Sequence, residues 1–400
     1  MRQPVDNLQP PGLRIGLITG EYPPRQGGVG DFTRELARAL ATLGHAAHVI
    51  TRRDSRPELL EEGVTVHRII SSWGWRCWRP IASVAQQHDL AVLNIQYEPA
   101  AYAMQVGINL LPGRIARAWV KRPIVTTFHD LLVPYLFPKA GPLRRKIVDY
   151  LARHSDAVIA TNEEDRARLA RLELSASNLQ LIPIGSNVDP ARMGEFDPVA
   201  ERARWQVQPG ESLIGYFGFL NLSKGGEVLV PALKALIEAG VRAKLLLIGG
   251  RTGASDPTNA AYAAQVERLI ASLDLKDRVT ATGYLDSAGV SRALMACDVC
   301  ALPYLDGASL RRGSLLAAIA HGRAIVTTLP LFPIDGLTHN ESALFVPPND
   351  PAALAAAIRQ VLIDSDLRGR LERGARTAAR LYTWDRIAAR TVEIYQSVRR

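Results

Sequence analysis

Short β-branched runs alternate with amphipathic stretches along this whole chain, and that alternation constrains its fold more than any other feature. LRIGLIT, GDFTRELARALATLG and AAHVIT follow one another near the start, and DLAVLNIQ, RPIVTTFH and DAVIATN come after them. Beyond residue 210 the logic repeats with LIGYFGFL, GEVLVPALKALIEAG, AKLLLIGG, AYAAQVERLIASLDL, VTATGYL, DVCALPY and AIVTT. A parallel strand pair needs a crossover long enough to be a helix, so this pattern predicts parallel sheets wrapped by helices. The first helix shows the period. Phe32, Leu36, Ala39, Leu40 and Leu43 share one face, Arg34, Glu35 and Arg38 fall largely outside it, and Gly44 supplies a stop.

Between the two halves, GSNVDPARMGEFDPVAERARWQVQPGES is rich in proline, glycine and charge and marks a linker. A chain of 400 residues with 47% hydrophobic content can bury two ordinary cores. The expected fold class is therefore α/β, with two doubly wound, Rossmann-like domains and an interdomain cleft, and with ligands bound beyond the carboxyl ends of the strands. The boundaries fall at 1–188 and 189–382, with a C-terminal helix over 383–400.

Composition removes several classes of function. The 48 Lys+Arg against 39 Asp+Glu leave a charge of +9, which attracts anions, yet no run of five basic residues occurs and no nucleic-acid partner is expected. Three cysteines in a long chain do not make a secreted disulfide framework. Cys297 and Cys300 form a C-x-x-C inside an apolar stretch, where two buried thiols are favoured over a redox or zinc pair. No signal core and no long apolar segment is present, so a cytoplasmic protein is expected, and its basic first half suits peripheral contact with the inner membrane face.

The polar residues suited to chemistry lie on the strand-end loops. In GEYPPRQGGVGDF, Gly27, Gly28 and Gly30 allow unusual backbone angles and close approach, and the helix that follows offers amide N–H groups to an anion. The spacing is not the dinucleotide fingerprint, so a ligand-closing loop or a structural turn is expected there. In TTFHDLLVP, His129 sits at a strand end, where a near-neutral pKa would let it donate to a sugar hydroxyl or a developing charge. Asp130 either orients it or caps the next helix. In NIQYEP, Gln96, Tyr97 and Glu98 suit a hydroxyl-rich acceptor, the alternative being a capping carboxylate.

In GYFGFLNLSKGGEVL, over the turn 218–224, Lys224 lies beside the exposed amides of a helix start, an unfavourable arrangement until an anion pairs with it. The loop does not match the P-loop pattern. Arg311 and Arg312 precede the small-residue helix SLLAAIAHG, where guanidinium forks and Lys224 would make one phosphate pocket. Salt bridges from these arginines to acidic residues of the linker are the alternative.

The order GGVG, FHD, GFLNLSKG, VTATGYLD and AAIAHGRAIVTT resembles that of the GT-B glycosyltransferases of glycosyltransferase family 4, over nearly the whole chain from Arg14 to about Trp384. The resemblance implies two facing Rossmann-like domains, the second binding a nucleoside diphosphate sugar, and a C-terminal helix that crosses back to the first. It also implies retaining, metal-independent transfer of a hexose to a glycan, lipid-linked or other glycoconjugate acceptor, with no cofactor. On it, Gly27 and Gly28 match the glycine-rich loop near the donor phosphates, His129 the histidine near the transferred sugar, and Lys224 the lysine on the diphosphate. Gly322 closes the helix of the family's E-x7-E element.

The donor site is then expected at Gly27, Gly28, Gly218, Phe219, Lys224, Ser309, Leu310, Arg311, Arg312, Gly313 and Ser314. His129, Lys224, Arg311 and Arg312 are the expected catalytic residues, and Glu98 and Asp130 lie on the acceptor side. The chain departs from the family at Phe219, where an arginine is usual, and at Ser309 and Ala317, which take the places of both glutamates. Two readings follow: a working transferase whose donor site is rearranged around Arg311 and Arg312, or an inactive GT-B protein that binds sugar or nucleotide.

Overall fold

The computed structural model describes residues 12–25, 27–54, 62–131, 141–174, 178–190, 196–250 and 257–399. Gln26 of the glycine-rich loop and positions 191–195 of the linker lie outside the described residues. The chain forms two compact units, Met1–Ile184 with Trp384–Arg400, and Gly185–Thr383.

The first unit runs β1 (Arg14–Thr19), α1 (Gly28–Thr42), β2 (Ala46–Arg52), β3 (Val64–Ile70), α2 (Trp78–Gln87), β4 (Val92–Tyr97), α3 (Arg114–Val120), β5 (Ile124–Phe128), α4 (Gly141–His154), β6 (Ala157–Ala160), α5 (Glu163–Ala170) and β7 (Leu179–Leu181). Its sheet has the order β3-β2-β1-β4-β5-β6-β7, parallel throughout. Strands β4 and β5 are buried along their whole length, including the polar Asn94, Gln96, Thr126 and Thr127, as central strands covered on both faces are. Helix α1 buries Phe32, Leu36, Ala39 and Leu40 as its period predicts; Leu43, assigned to the same stripe, is instead its C-cap residue and 40% exposed.

The second unit runs α6 (Pro198–Arg204), β8 (Ser212–Phe217), α7 (Gly226–Glu238), β9 (Ala243–Ile248), α8 (Pro257–Ser272), β10 (Val279–Ala281), α9 (Ser287–Ala296), β11 (Val299–Leu302), α10 (Gly313–Ala320), β12 (Ile325–Thr328), β13 (Leu344–Val346), α11 (Pro351–Ile363) and α12 (Ser365–Ala379). The parallel sheet order is β10-β9-β8-β11-β12-β13. Its core joins Val228, Leu229, Leu233 and Leu236 of α7 to Ile214 and Leu245 of the sheet and to Leu354, Ile358 and Val361 of α11.

Helix α13 (Trp384–Ser397) then completes the first unit. Ile387, Ala388, Val392 and Tyr395 enter the core that holds Leu36 and Leu40 of α1. The Tyr395 hydroxyl accepts a hydrogen bond from Asn94 Nδ2 at 2.7 Å, and Asn94 Oδ1 accepts one from Thr127 Oγ1 at 3.1 Å, so the polar groups buried under this helix are paired.

In both sheets the strand order reverses once, between β1 and β4 and between β8 and β11. Chains leaving these neighbours turn to opposite sides and open a crevice at the carboxyl ends. The three cysteines are buried and free, and burial pushes the Cys300 thiol up to about 12, so the C-x-x-C is a pair of inert core thiols. Among the described residues no helix is long and apolar enough to cross a membrane.

Candidate functional sites of the two units

In the second unit, the loops after β8 and β11 flank the point where the strand order reverses. Gly218 takes φ +119, and a Cβ there would lie 2.2 Å from Lys224 Nζ, so the missing side chain is what lets the ammonium lie against the backbone at the end of β8. Lys224 ends a 3-10 turn, Leu222–Lys224, just before α7. Burial, and then the charge of Arg312, lower its pKa to about 8. The ammonium is thus held at a real electrostatic cost, the condition in which an arriving anion gains most.

Arg312 is the N-cap residue of α10, and no side chain caps that helix. Its guanidinium donates to both carboxylate oxygens of Asp306 and, at 3.0 Å, to Ser223 Oγ, and it stacks over Tyr304 with the guanidinium carbon 5.1 Å from the ring centre. The partner of Arg312 is therefore an acid of its own loop and not one of the linker, because the six-residue turn from Asp306 brings the two side chains face to face. Arg311 is half-buried beside it.

The sequence-expected donor residues divide into two sets. Lys224, Gly218 and Arg312 come together, and Phe219, 44% exposed, borders them. Gly313 is exposed and Ser309 partly so. Leu310 is buried, and the Ser314 hydroxyl is buried against Tyr304 Oη at 2.8 Å, so neither of these two side chains is offered to a ligand. Ala317 points into the core at 1% exposure. Gly322 takes φ +56 just past α10, the left-handed turn that ends the helix.

In the first unit, the loops after β1, β4 and β5 gather the polar residues. Gly27 has φ 171, an extended conformation open to any residue, so the expectation of an unusual backbone angle there is corrected. What Gly27 supplies is space: a Cβ would lie 2.0 Å from the Glu21 carboxylate. Glu21 Oε1 accepts from the N–H groups of Val29 and Gly30 at 3.2 and 3.4 Å, so the anion expected at the start of α1 is one the chain carries itself. Gly28 is exposed and has open space where a side chain would go.

Glu21 escaped sequence reasoning; the signal was a carboxylate closing the first strand, ahead of the glycines. Its charge and that of Asp130, added to burial as the main cause, raise the Glu98 pKa to about 7. Glu98 is thus a carboxyl group poised to exchange a proton near neutrality, and the Asp130 charge contributes to that shift.

His129 Nε2 pairs with Gln96 Oε1 at 2.9 Å, and its ring meets Phe32 edge-on at 4.5 Å between centroids. Burial lowers its pKa to about 3, so the near-neutral titration expected from sequence is corrected: the imidazole is neutral at physiological pH. Next to Glu98 a cavity of about 480 Å³ has a mainly apolar lining that includes Tyr97, Pro99, Tyr102 and Leu131, and Arg144, Arg171 and Asp149 also line it.

Two Rossmann-like units, each with polar residues at the reversal of strand order, define a doubly wound α/β protein. Residues 26–190 match the family model Glycosyltransferase Family 4, and residues 211–364 match Glycosyl transferases group 1, one model on each unit. The D-inositol 3-phosphate glycosyltransferase of Xylanimonas cellulosilytica is 28% identical over 290 residues, 68% of this chain and 66% of that protein. The phosphatidyl-myo-inositol mannosyltransferase of Mycobacterium tuberculosis is 26% identical over 411 residues, 96% of this chain and 97% of that protein. Among solved structures, HepE of Anabaena in complex with UDP matches with a TM-score of 0.74 and 19% identity, covering 96% of this chain and 100% of that one; the same protein is also known in complex with UDP-glucose. The chain belongs to the GT-B glycosyltransferases of the family 4 type.

Proposed function

We propose that this glycosyltransferase moves a hexose from a nucleoside diphosphate sugar to a glycan, lipid-linked or other glycoconjugate acceptor, with retention at the anomeric carbon and without a metal ion in the reaction. One observation carries the reading: Lys224, its pKa lowered to about 8, and Arg312 occupy the crevice of the second unit beside the uncapped start of α10. As the sugar C1–oxygen bond to the diphosphate breaks, negative charge grows on the leaving phosphate, and fixed cations in a partly dry site stabilise it as a divalent ion would. The leaving oxygen takes the acceptor proton, and the new bond forms on the face that the diphosphate leaves. Neutral His129 serves as a hydrogen-bonding partner of the sugar, and Glu98 with Asp130 holds acceptor hydroxyls.

HepE, a relative in fold, binds UDP and UDP-glucose, which supports a nucleoside diphosphate donor. The mainly apolar cavity lined in part by Arg144 and Arg171 favours, among these acceptors, one that carries both an apolar portion and a phosphate. The absence of glutamates at Ser309 and Ala317 and the pairing of Arg312 with Asp306 favour the second reading, an inactive binding protein, in which the guanidinium is spent within its own loop.

The test is thermal-shift screening against UDP, GDP, ADP and their sugars, with Lys224→Ala, Arg311→Ala and Arg312→Ala as controls. Stabilisation of the wild type and its loss in Lys224→Ala and Arg312→Ala are expected. A wild type indifferent to every nucleotide, or variants that respond as it does, would remove the phosphate pocket. Hydrolysis or transfer of the stabilising donor sugar then separates enzyme from binder.

A further inference from the structure

Three histidines meet in the first unit away from the loops that follow β1, β4 and β5. His48 is the third residue of β2 and His67 the fourth of β3, and the parallel register sets Ile50 opposite His67 and His48 opposite Thr65. The two imidazoles are therefore diagonal neighbours on one face of the sheet, two positions apart. Helix α2 packs on that same face, since its Ile81, Val84 and Ala85 share a core with Ile50, and the residue that caps its C-terminus is His88.

The result is a triangle of rings, with centroids 4.7 Å apart for His48 and His88, 4.8 Å for His67 and His88, and 5.4 Å for His48 and His67. One ligand nitrogen from each lies within 4.8 Å of the others, and no other such group of His, Cys, Asp or Glu occurs among the described residues. His48 Nδ1 is 3.1 Å from His67 Nε2. Ligands of a tetrahedral zinc at about 2.0–2.1 Å stand roughly 3.3–3.4 Å from each other, so one edge of the tetrahedron is nearly in place.

We infer that His48, His67 and His88 form a binding site for a borderline divalent transition metal of the zinc type, separate from the transfer site. Three imidazoles without a carboxylate in the set suit zinc, and not magnesium or calcium. His48 is buried, whereas His67 and His88 keep partial exposure, which leaves the fourth position to water. The nearby cation Arg14 is engaged by Asp89, which also accepts from Arg122 at 3.0 Å, so the adjoining charge is offset.

In function the ion would be a clasp. β3 is the edge strand of the sheet, and a metal bridging His48, His67 and His88 ties it at once to β2 and to α2. The catalytic loops follow the carboxyl ends of β1, β4 and β5, so the ion takes no part in the chemistry proposed above.

The test uses the full chain without a histidine tag, stripped with chelator and titrated with Zn²⁺ against a chromophoric competitor, and with Co²⁺ followed by its visible spectrum. One Zn²⁺ per chain, intense four-coordinate Co²⁺ bands and a metal-dependent rise in Tm are expected. His88→Gln, at the partly exposed helix end, should keep the far-ultraviolet circular dichroism and weaken Zn²⁺ binding at least about 100-fold, more than loss of an outer-shell partner does. His67→Gln should behave alike. Zinc binding below one equivalent per chain, or unchanged in both variants, or a weak six-coordinate Co²⁺ spectrum, overturns the site. Donor-dependent thermal shifts measured on His88→Gln in chelator report on the transfer site independently, so the two readings fail separately.

Discussion

At the scale of single residues, the crevice of the second unit is organised by how Lys224 is held. Its pKa is lowered to about 8 by burial and by Arg312, and a diphosphate arriving beside it would restore the ordinary value. Nucleotide binding at pH 8 should therefore take up about half a proton, falling toward zero at pH 6, where the lysine is already charged. Calorimetry in buffers of different ionisation enthalpy measures this, and Lys224→Met should abolish it. Gly218→Ala tests the same arrangement from below. The added methyl meets the ammonium and forces a positive φ, so a loss of about 1–3 kcal/mol in stability and a nucleotide affinity reduced toward that of Lys224→Ala are expected.

Glu98 makes the corresponding statement in the first unit. An acid whose folded pKa is raised from 4.5 to about 7 holds its proton more tightly in the folded state, so its contribution is fully present below 4.5 and is lost as pH rises through 7. Glu98→Gln should match the wild type in unfolding free energy near pH 4.5 and exceed it increasingly up to pH 8, by about 1–3 kcal/mol, as read by calorimetry across that range. A difference that is constant with pH would show that the carboxyl group does not titrate there.

At the scale of elements, the strand-to-helix alternation was legible because helical and strand periods are local properties of consecutive residues. The strand-end positions of His129, Glu98, Lys224 and Arg312 were legible for the same reason. Their partners were not. Glu21 reaches Val29 and Gly30 across the turn between β1 and α1, and that pairing changes the start of α1 from an anion receptor into a helix end already supplied with a carboxylate. Gly27→Ala should reveal this. Its Cβ would fall on the Glu21 carboxylate and drive it off the two amides, and a stability loss of about 1–3 kcal/mol is expected in equilibrium denaturation, with Glu21→Gln as the comparison.

At the scale of the molecule, the last helix belongs to the first unit. Helix α13 inserts Ile387, Ala388, Val392 and Tyr395 into a core with α1, and Tyr395 answers the buried amide of Asn94 from 301 residues away. Tyr395→Phe leaves that amide without its acceptor and should destabilise by about 1–3 kcal/mol. A chain ending at residue 383 should lose the first unit's cooperative unfolding transition and keep the second's, which scanning calorimetry would resolve as one transition in place of two.

What the sequence determined alone was whatever depends on neighbours in the chain: the two α/β halves, the loops that carry chemistry, and the resemblance to a family of sugar transferases. Only the tertiary structure decided the charge states and the partners. His129 is neutral because packing encloses it, Lys224 is poised because Gly218 gives it room, Arg312 is shared with Asp306 and Ser223, and three histidines from β2, β3 and the end of α2 converge on one point. Burial and Coulomb interactions depend on distance in space, and a one-dimensional pattern contains that distance only for residues a few positions apart.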